Sequence, residues 1–144
     1  MKSEVTIFYT DDDPEDLEFF KEIIDIIDAD LSVVTYTNGL QLLHALDNPP
    51  PNPYVVFLDI NMPGMNGYEV LKKVRLLEQH KKLPVVMLST SGDHDSIQKS
   101  KELGASFYVP KSGIFEDLKS SIEHALKINW ASFIPTDKNF VYSY

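Results

Sequence analysis

The sequence predicts a doubly wound α/β domain, (βα)5, in which a five-stranded parallel sheet carries helices on both faces. Short β-branched or aromatic runs alternate five times with segments of helical periodicity. Several of the runs are apolar enough to be buried on both faces, as parallel strands in such sheets are. Three of them end in charge: Asp11-Asp12-Asp13 after the first, Asp59 after the third and Lys111 after the fifth.

The strands are expected at residues 5–10, 32–37, 54–60, 83–90 and 106–111. The first helix starts at Pro14, a favoured first-turn residue, with Asp13 as its N-cap, and Leu17, Phe20, Ile23, Ile24 and Ile27 line its buried face. A second helix follows Asn38-Gly39, with Leu40, Leu43 and Leu46 on its apolar side. It stops at Asn48-Pro49 and the proline-rich run through Pro53, which cannot continue a helix. The third follows Gly67 and buries Val70, Leu71, Val74 and Leu77. The fourth, over residues 93–103, offers mainly Ile97 and Leu103 among charged neighbours, so it has little apolar area to bury and is expected to be the least firmly packed. The fifth carries Phe115, Leu118, Ile122, Ala125 and Leu126 and is expected to end near residues 128–131.

At 144 residues the chain is one domain of ordinary size, with no internal repeat and no linker. A net charge of −9 and a pI near 4.7, with no basic stripe, argue against nucleic acid as a partner. The residues before the first strand show no cleavable signal pattern, and no apolar stretch is long enough to span a bilayer, so a cytoplasmic protein without a membrane partner is expected. With no cysteine there is no disulfide and no thiolate chemistry.

If the runs are parallel strands, their carboxyl ends gather several carboxylates and one ammonium at the edge where open α/β sheets bind ligands. Like charges packed there call for a bound cation and chemistry with an anionic group. Four segments at this edge, Thr10-Asp11-Asp12-Asp13-Pro14-Glu15-Asp16, Phe57-Leu58-Asp59-Ile60-Asn61-Met62-Pro63-Gly64-Met65-Asn66-Gly67, Val86-Met87-Leu88-Ser89-Thr90-Ser91 and Tyr108-Val109-Pro110-Lys111, occur in the order found in the response-regulator receiver domains of two-component signalling, which residues 4–128 resemble.

The resemblance implies a flavodoxin-like sheet of order 2-1-3-4-5. It makes Asp59 the phosphoacceptor, which takes a phosphoryl group from a phosphohistidine on a sensor histidine kinase or histidine phosphotransfer protein. Magnesium is the implied cofactor, with Asp12 and Asp59 as direct ligands, Asp11 acting partly through water and Asn61 contributing its main-chain carbonyl. Lys111 would pair with Asp59 at rest and with a phosphoryl oxygen afterwards. Ser89 would hydrogen-bond the phosphoryl group, and Tyr108 would turn inward as Ser89 moves, so that a local charge event reaches the face formed by helix 4, strand 5 and helix 5. The output would be contact with a downstream protein, as in single-domain chemotaxis or phosphorelay regulators. No enzymatic activity is implied beyond the domain's own phosphorylation and dephosphorylation.

Two positions depart from the family pattern. Ser112 and Gly113 follow Lys111 where proline is usual, which predicts a trans peptide, since a non-proline cis bond costs about 2.5 to 4 kcal/mol. Thr90 stands where a smaller residue is common and would narrow access to the site. Other features have structural readings: Gly64 and Gly67 are turn glycines, and His44, His80, His94 and His124 are surface or half-buried side chains without metal spacing. Residues 129–144 lie outside the resemblance. Trp130, Phe133, Ile134, Phe140, Val141, Tyr142 and Tyr144 make them too apolar for a solvated extension, so they fold back on the domain or form a surface for a partner or a homodimer. Two rival functions remain: an interaction module that keeps the fold but not the phosphorylation, and an aspartate-nucleophile phosphatase, which would need an aspartate where Asn61 stands.

Overall fold

Five strands, β1 (Thr6–Thr10), β2 (Ser32–Tyr36), β3 (Tyr54–Leu58), β4 (Val85–Ser89) and β5 (Phe107–Pro110), pair in parallel in the order β2-β1-β3-β4-β5. The computed structural model describes residues 5–49 and 54–144. The segment before Val5 and most of the proline run therefore lie outside the described residues. Between the strands run α1 (Pro14–Ile27), α2 (Gly39–Asp47), α3 (Gly67–Leu76), α4 (His94–Glu102) and, after β5, α5 (Phe115–Leu126).

Strand periodicity divides the core in two. Ile7, Tyr9, Phe57, Val86, Leu88, Phe107 and Val109 point to the face covered by α1 and α5, where they meet Phe20, Ile23, Ile24 and Ile122. Phe8, Val56, Leu58, Val85, Met87 and Tyr108 point to the other face, against Leu42, Leu46, Val70, Leu71 and Val74. Both faces being covered explains why these strands read as unbroken apolar runs rather than alternating ones.

Helix α1 begins as the sequence predicts, whereas Gly67, expected in the turn before α3, is the first residue of that helix. Asp13 caps α1 by accepting from the Glu15 amide, with Pro14 in the first turn. Asn66 and Glu69 form a reciprocal capping box at α3. Three further expectations change. On α2 the buried residue is Leu42, while Leu40 is 67% exposed, because a helix starting at Gly39 turns Leu42 and Leu46 to the sheet together. Helix α5 stops at Leu126, sooner than expected. His80 is neither at the surface nor half-buried: it is 1% exposed, with Nε2 3.0 Å from the Tyr54 hydroxyl. Burial, then the nearby Arg75 charge, holds its imidazole below the usual range.

Arg75, at the end of α3, ties together the amino-terminal edge of the sheet. It donates from Nη1 to the His80 carbonyl at 2.8 Å, from Nε to the Gly104 carbonyl at 2.9 Å and from Nη2 to the Ser106 hydroxyl at 3.3 Å. Gly104 has φ +101°, the left-handed conformation that ends α4.

Residues 129–144 lie on the domain. Trp130 and Phe133 pack beside Phe107 on the α1–α5 face, and Phe140, 1% exposed, joins the core of the opposite face. Val141 pairs in parallel with Tyr108, so the last residues extend the sheet beyond β5, a pairing the sequence analysis did not anticipate.

Candidate functional site

The carboxyl edge of the sheet brings three acidic side chains from two strand ends together. Oxygens of Asp11, Asp12 and Asp59 all lie within 4.8 Å of one another. Asp11 is 1% and Asp59 5% exposed, whereas Asp12 is open to solvent. Their positions follow from the ladder: the Asp11 amide donates to the Tyr36 carbonyl and the Asp59 amide to the Thr10 carbonyl, continuing β1 and β3 by one residue each.

Asp59 is also fixed from behind. The Gly67 amide donates to the Ile60 carbonyl at 2.8 Å, and a Cβ added at Gly67 would stand 2.2 Å from the Asp59 carbonyl oxygen. Only glycine lets the first turn of α3 approach the strand end this closely. The Ile60 amide donates to Asp59 Oδ1 at 2.9 Å.

Lys111 reaches the cluster from the end of β5, where its own amide donates to the Ser89 carbonyl at 2.7 Å. Its ammonium donates to Asp11 at 2.7 Å and to Asp16 at 2.9 Å, and lies 3.8 Å from Asp59 Oδ1. The resting pair expected with Asp59 is thus the longest of three contacts. Asp11, buried at the end of β1, and Asp16, in the first turn of α1, take the two hydrogen bonds. The Tyr9 hydroxyl gives Asp11 a further one at 2.5 Å.

Charge follows burial here. Burial pushes the Asp59 carboxyl up to about 7; Lys111 pulls against that rise, and the Asp11 charge adds to it. Burial also acts to raise Asp11, but the hydrogen bonds from Lys111, Tyr9 and the Asp13 amide outweigh it and hold this carboxyl below the usual range. Burial works against the Lys111 ammonium, yet hydrogen bonds to Asp11 and Asp16 keep its pKa above the ordinary value. Asp11, Asp16 and Asp59 thus share one ammonium, and Asp12 lies beside them. A hard divalent cation bound by oxygen fits this donor set, since it would offset both the burial of the Asp59 charge and its repulsion by Asp11.

Ser89, buried at the end of β4, accepts a hydrogen bond from the Ser91 amide at 3.2 Å. The Ser91 carbonyl in turn accepts from the Tyr108 hydroxyl, and the Ser91 hydroxyl accepts from the Asn61 side chain at 3.3 Å. The loop after β4 thus links the serine, the asparagine and the tyrosine. The Tyr108 ring is fully buried, and burial pushes its phenol up to about 12. Thr90 is exposed and lines a cleft of about 270 Å³ between α1 and α5, beside Lys111. The backbone contains no cis peptide among the described residues, so the Lys111–Ser112 bond is trans as expected.

Tyr9 and Asp16 were not singled out from the sequence. Strand alternation places Tyr9 on the same face as Asp11, two residues on, so the pattern held a signal for it. Asp16 carried none, because an acidic residue in a first helical turn is ordinary.

A family model of the response regulator receiver domain matches residues 7–123. The chain belongs to this family. Over 98 residues it is 33% identical to the DNA-binding transcriptional regulator NtrC of Escherichia coli strain K12, covering 68% of this chain and 20% of that protein. The chain therefore spans about a fifth of that relative. Response regulator Rcp1 of a Synechocystis species is 28% identical over 122 residues, covering 81% of this chain and 83% of the relative. Among solved structures, the phosphorylated cyanobacterial phytochrome response regulator RcpA superposes with a TM-score of 0.77 at 28% identity, covering 92% of this chain and 98% of that one. The Mn²⁺-bound form of Rcp1 gives 0.73 at 25% identity, covering 90% and 96%. The strand order and the two-sided helix packing are those of the receiver fold. Among the described residues, no helix is long and apolar enough to cross a membrane.

Proposed function

We propose that Asp59 accepts a phosphoryl group from a phosphohistidine on a sensor histidine kinase or histidine phosphotransfer protein, and that a downstream protein reads the resulting change of shape in the cytoplasm. The observation that carries this reading is the meeting of Asp11, Asp12, Asp59 and Lys111 at one strand edge of a receiver domain.

In the transfer, an Asp59 carboxylate oxygen attacks phosphorus, a P–O bond forms and the P–N bond of the phosphohistidine breaks, and the leaving imidazole keeps the electron pair and takes up a proton. Such transfers depend on positioning and charge neutralisation more than on covalent help from the protein. Magnesium, held by Asp12 and Asp59 directly, by Asp11 partly through water and by the Asn61 carbonyl, would supply positive charge for the transferring oxygens. Asp59 is oriented for attack by the Ile60 amide and by the fit of Gly67 behind it. Lys111, 3.8 Å away, can exchange its contact with Asp59 for one with a phosphoryl oxygen while Asp11 and Asp16 hold its ammonium in place. Ser89 can turn its hydroxyl from Ser91 to the phosphoryl group, and the Ser91 carbonyl passes that change to Tyr108.

Acetyl phosphate with magnesium, followed by intact mass, tests the assignment. Wild type should gain one phosphoryl group and Asp59→Asn none. No gain in wild type, or an undiminished gain in the variant, overturns it. Ser89→Ala should accept the group yet lose most of the phosphorylation-dependent partner binding.

A further inference from the structure

The amino-terminal edge of the sheet, opposite Asp59, holds a cleft of about 340 Å³ whose charged lining is all positive. Arg75, Lys81 and Lys82 line it, and no carboxylate does. The chain carries 22 acidic residues against 13 lysines and arginines, yet none of these three cations forms an ion pair among the described residues. For the exposed lysines water is an adequate partner. Arg75 is half-buried, and burial holds its guanidinium below the ordinary pKa with no carboxylate to offset the cost.

The hydrogen bonds of the cleft leave donors over. Arg75 gives the hydrogen of Nε to the Gly104 carbonyl, one of Nη1 to the His80 carbonyl and one of Nη2 to the Ser106 hydroxyl. Each terminal nitrogen therefore keeps one hydrogen without an acceptor among the described residues. The Ser106 oxygen accepts from Arg75 and also from the Val85 amide at 3.0 Å, so its own hydrogen is left to donate as well. The guanidinium is fixed in place, since its three bonds are joined by close packing of its stem: a Cβ added at Gly104 would stand 3.2 Å from Arg75 Cγ and Nε. The uncharged lining includes two aromatic rings, Trp130 and Phe133, set edge to face with centroids 5.6 Å apart.

We propose that this cleft binds a small phosphate ester of a planar ring, a nucleoside monophosphate in size and chemistry, whose phosphate oxygens accept from Arg75, Ser106, Lys81 and Lys82 while the ring packs on Trp130. Three cations and a free hydroxyl match a dianion with three terminal oxygens better than they match a carboxylate. Little freedom is lost at Arg75 on binding, because the side chain is already held. The volume lies at the small end of ligand sites and admits one such molecule. A nucleic-acid chain is the wrong partner, since its further phosphates would run from the cleft onto the surface of a protein with net charge −9.

The site is independent of Asp59 as phosphoacceptor, and Trp130, the chain's one tryptophan, reports on it directly. Adenosine monophosphate, adenosine and inorganic phosphate are each titrated into the full chain, with binding read from the emission and the indole N–H resonance of Trp130. The monophosphate should shift both signals saturably, and adenosine and phosphate should each bind about tenfold or more weakly. Arg75 is left in place because it holds the sheet edge together. The double variant Lys81→Gln, Lys82→Gln, altered only at exposed side chains, should lose about tenfold in affinity for the monophosphate while keeping its Tm and its labelling by acetyl phosphate. No saturable change in either signal up to about 10 mM monophosphate overturns the proposal, since that is weaker than specific binding of so small a ligand. Adenosine binding as tightly as the monophosphate overturns the anion contacts, inorganic phosphate doing so overturns the ring contact, and an unchanged affinity in the double variant overturns the site.

Discussion

Helices α3 and α4 occupy equivalent places, each following a strand whose end carries a site residue, yet they are held very differently. Helix α3 buries Gly67, Val70, Leu71 and Val74, opens on a capping box and stands directly behind Asp59. Helix α4 buries only Ser100 and otherwise offers the half-buried Ile97 and Leu103. Its Asp93 cap faces solvent, and Lys99 lies 4.5 Å from the Tyr68 ring centre at the surface. The contrast separates two tasks. Chemistry needs a nucleophile held in one place, and signalling needs an element whose rearrangement is cheap, which regions of low local stability provide.

The largest effect should come from attacking the rigid side. Gly67→Ala puts a methyl group against the Asp59 carbonyl and should cost about 4 kcal/mol in urea unfolding, with loss of acetyl-phosphate labelling in whatever remains folded. A loss below about 1 kcal/mol with full labelling would show that α3 is not fixed in the way its packing implies.

Next in size is the charge at Asp59. Its pKa in the folded protein, about 7, lies above the ordinary 3.8, so the native state binds more protons than the unfolded one. The stabilisation from this group is complete below about pH 4 and is lost as pH rises through about 7. Asp11, whose carboxyl is held low, works in the opposite sense, losing its contribution as pH falls. Subtracting the Asp59→Asn curve isolates the first effect: without metal, the variant should gain on wild type by on the order of 3 kcal/mol between pH 4 and pH 8. Magnesium should raise the Tm of wild type by more than that of the variant. Parallel pH curves and equal magnesium shifts would contradict the electrostatic account.

Native-state hydrogen exchange should distinguish the helices directly, with amides of α4 opening at about 2 kcal/mol lower free energy than those of α3. Equal protection would erase the contrast. The smallest expected effect concerns the caps. Asn66→Ala should lower global stability by about 1 kcal/mol, since α3 unfolds with the whole domain. Asp93→Ala should instead speed exchange within α4 and leave the global unfolding midpoint nearly where it was.

Much of this contrast was legible in the sequence. The poverty of apolar residues between 93 and 103 announced a loosely held helix, just as Val70, Leu71 and Val74 announced one with an apolar face to bury, though the Asn66–Glu69 capping box went unread. The carboxylates and Lys111 were legible because each ends an apolar run, and a parallel sheet sends all such ends to one edge. The division of the Lys111 ammonium among three carboxylates was not, because it depends on side-chain reach across β1, β3, β5 and α1. Leu40 and Leu42 differ by the two-residue offset that decides which way a nine-residue helix faces, and hydrophobicity is the same at both. The pairing of Val141 with Tyr108 could not be read locally either, since composition marks residues 129–144 as apolar without naming the edge they cover.

The Arg75 clamp gives α4 an asymmetry. The carbonyl of Gly104, just past the end of the helix, is gripped by a guanidinium that also holds His80 and Ser106, whereas the Asp93 end rests on the loop that carries Ser91. A rod of nine residues, about 13 Å long, fastened at one tip cannot slide and can only swing. Its pivot lies at the edge of the sheet remote from Asp59, so a small push at the Ser91 loop acts at the far end of a lever, where Asp93 and His94 sweep the widest arc.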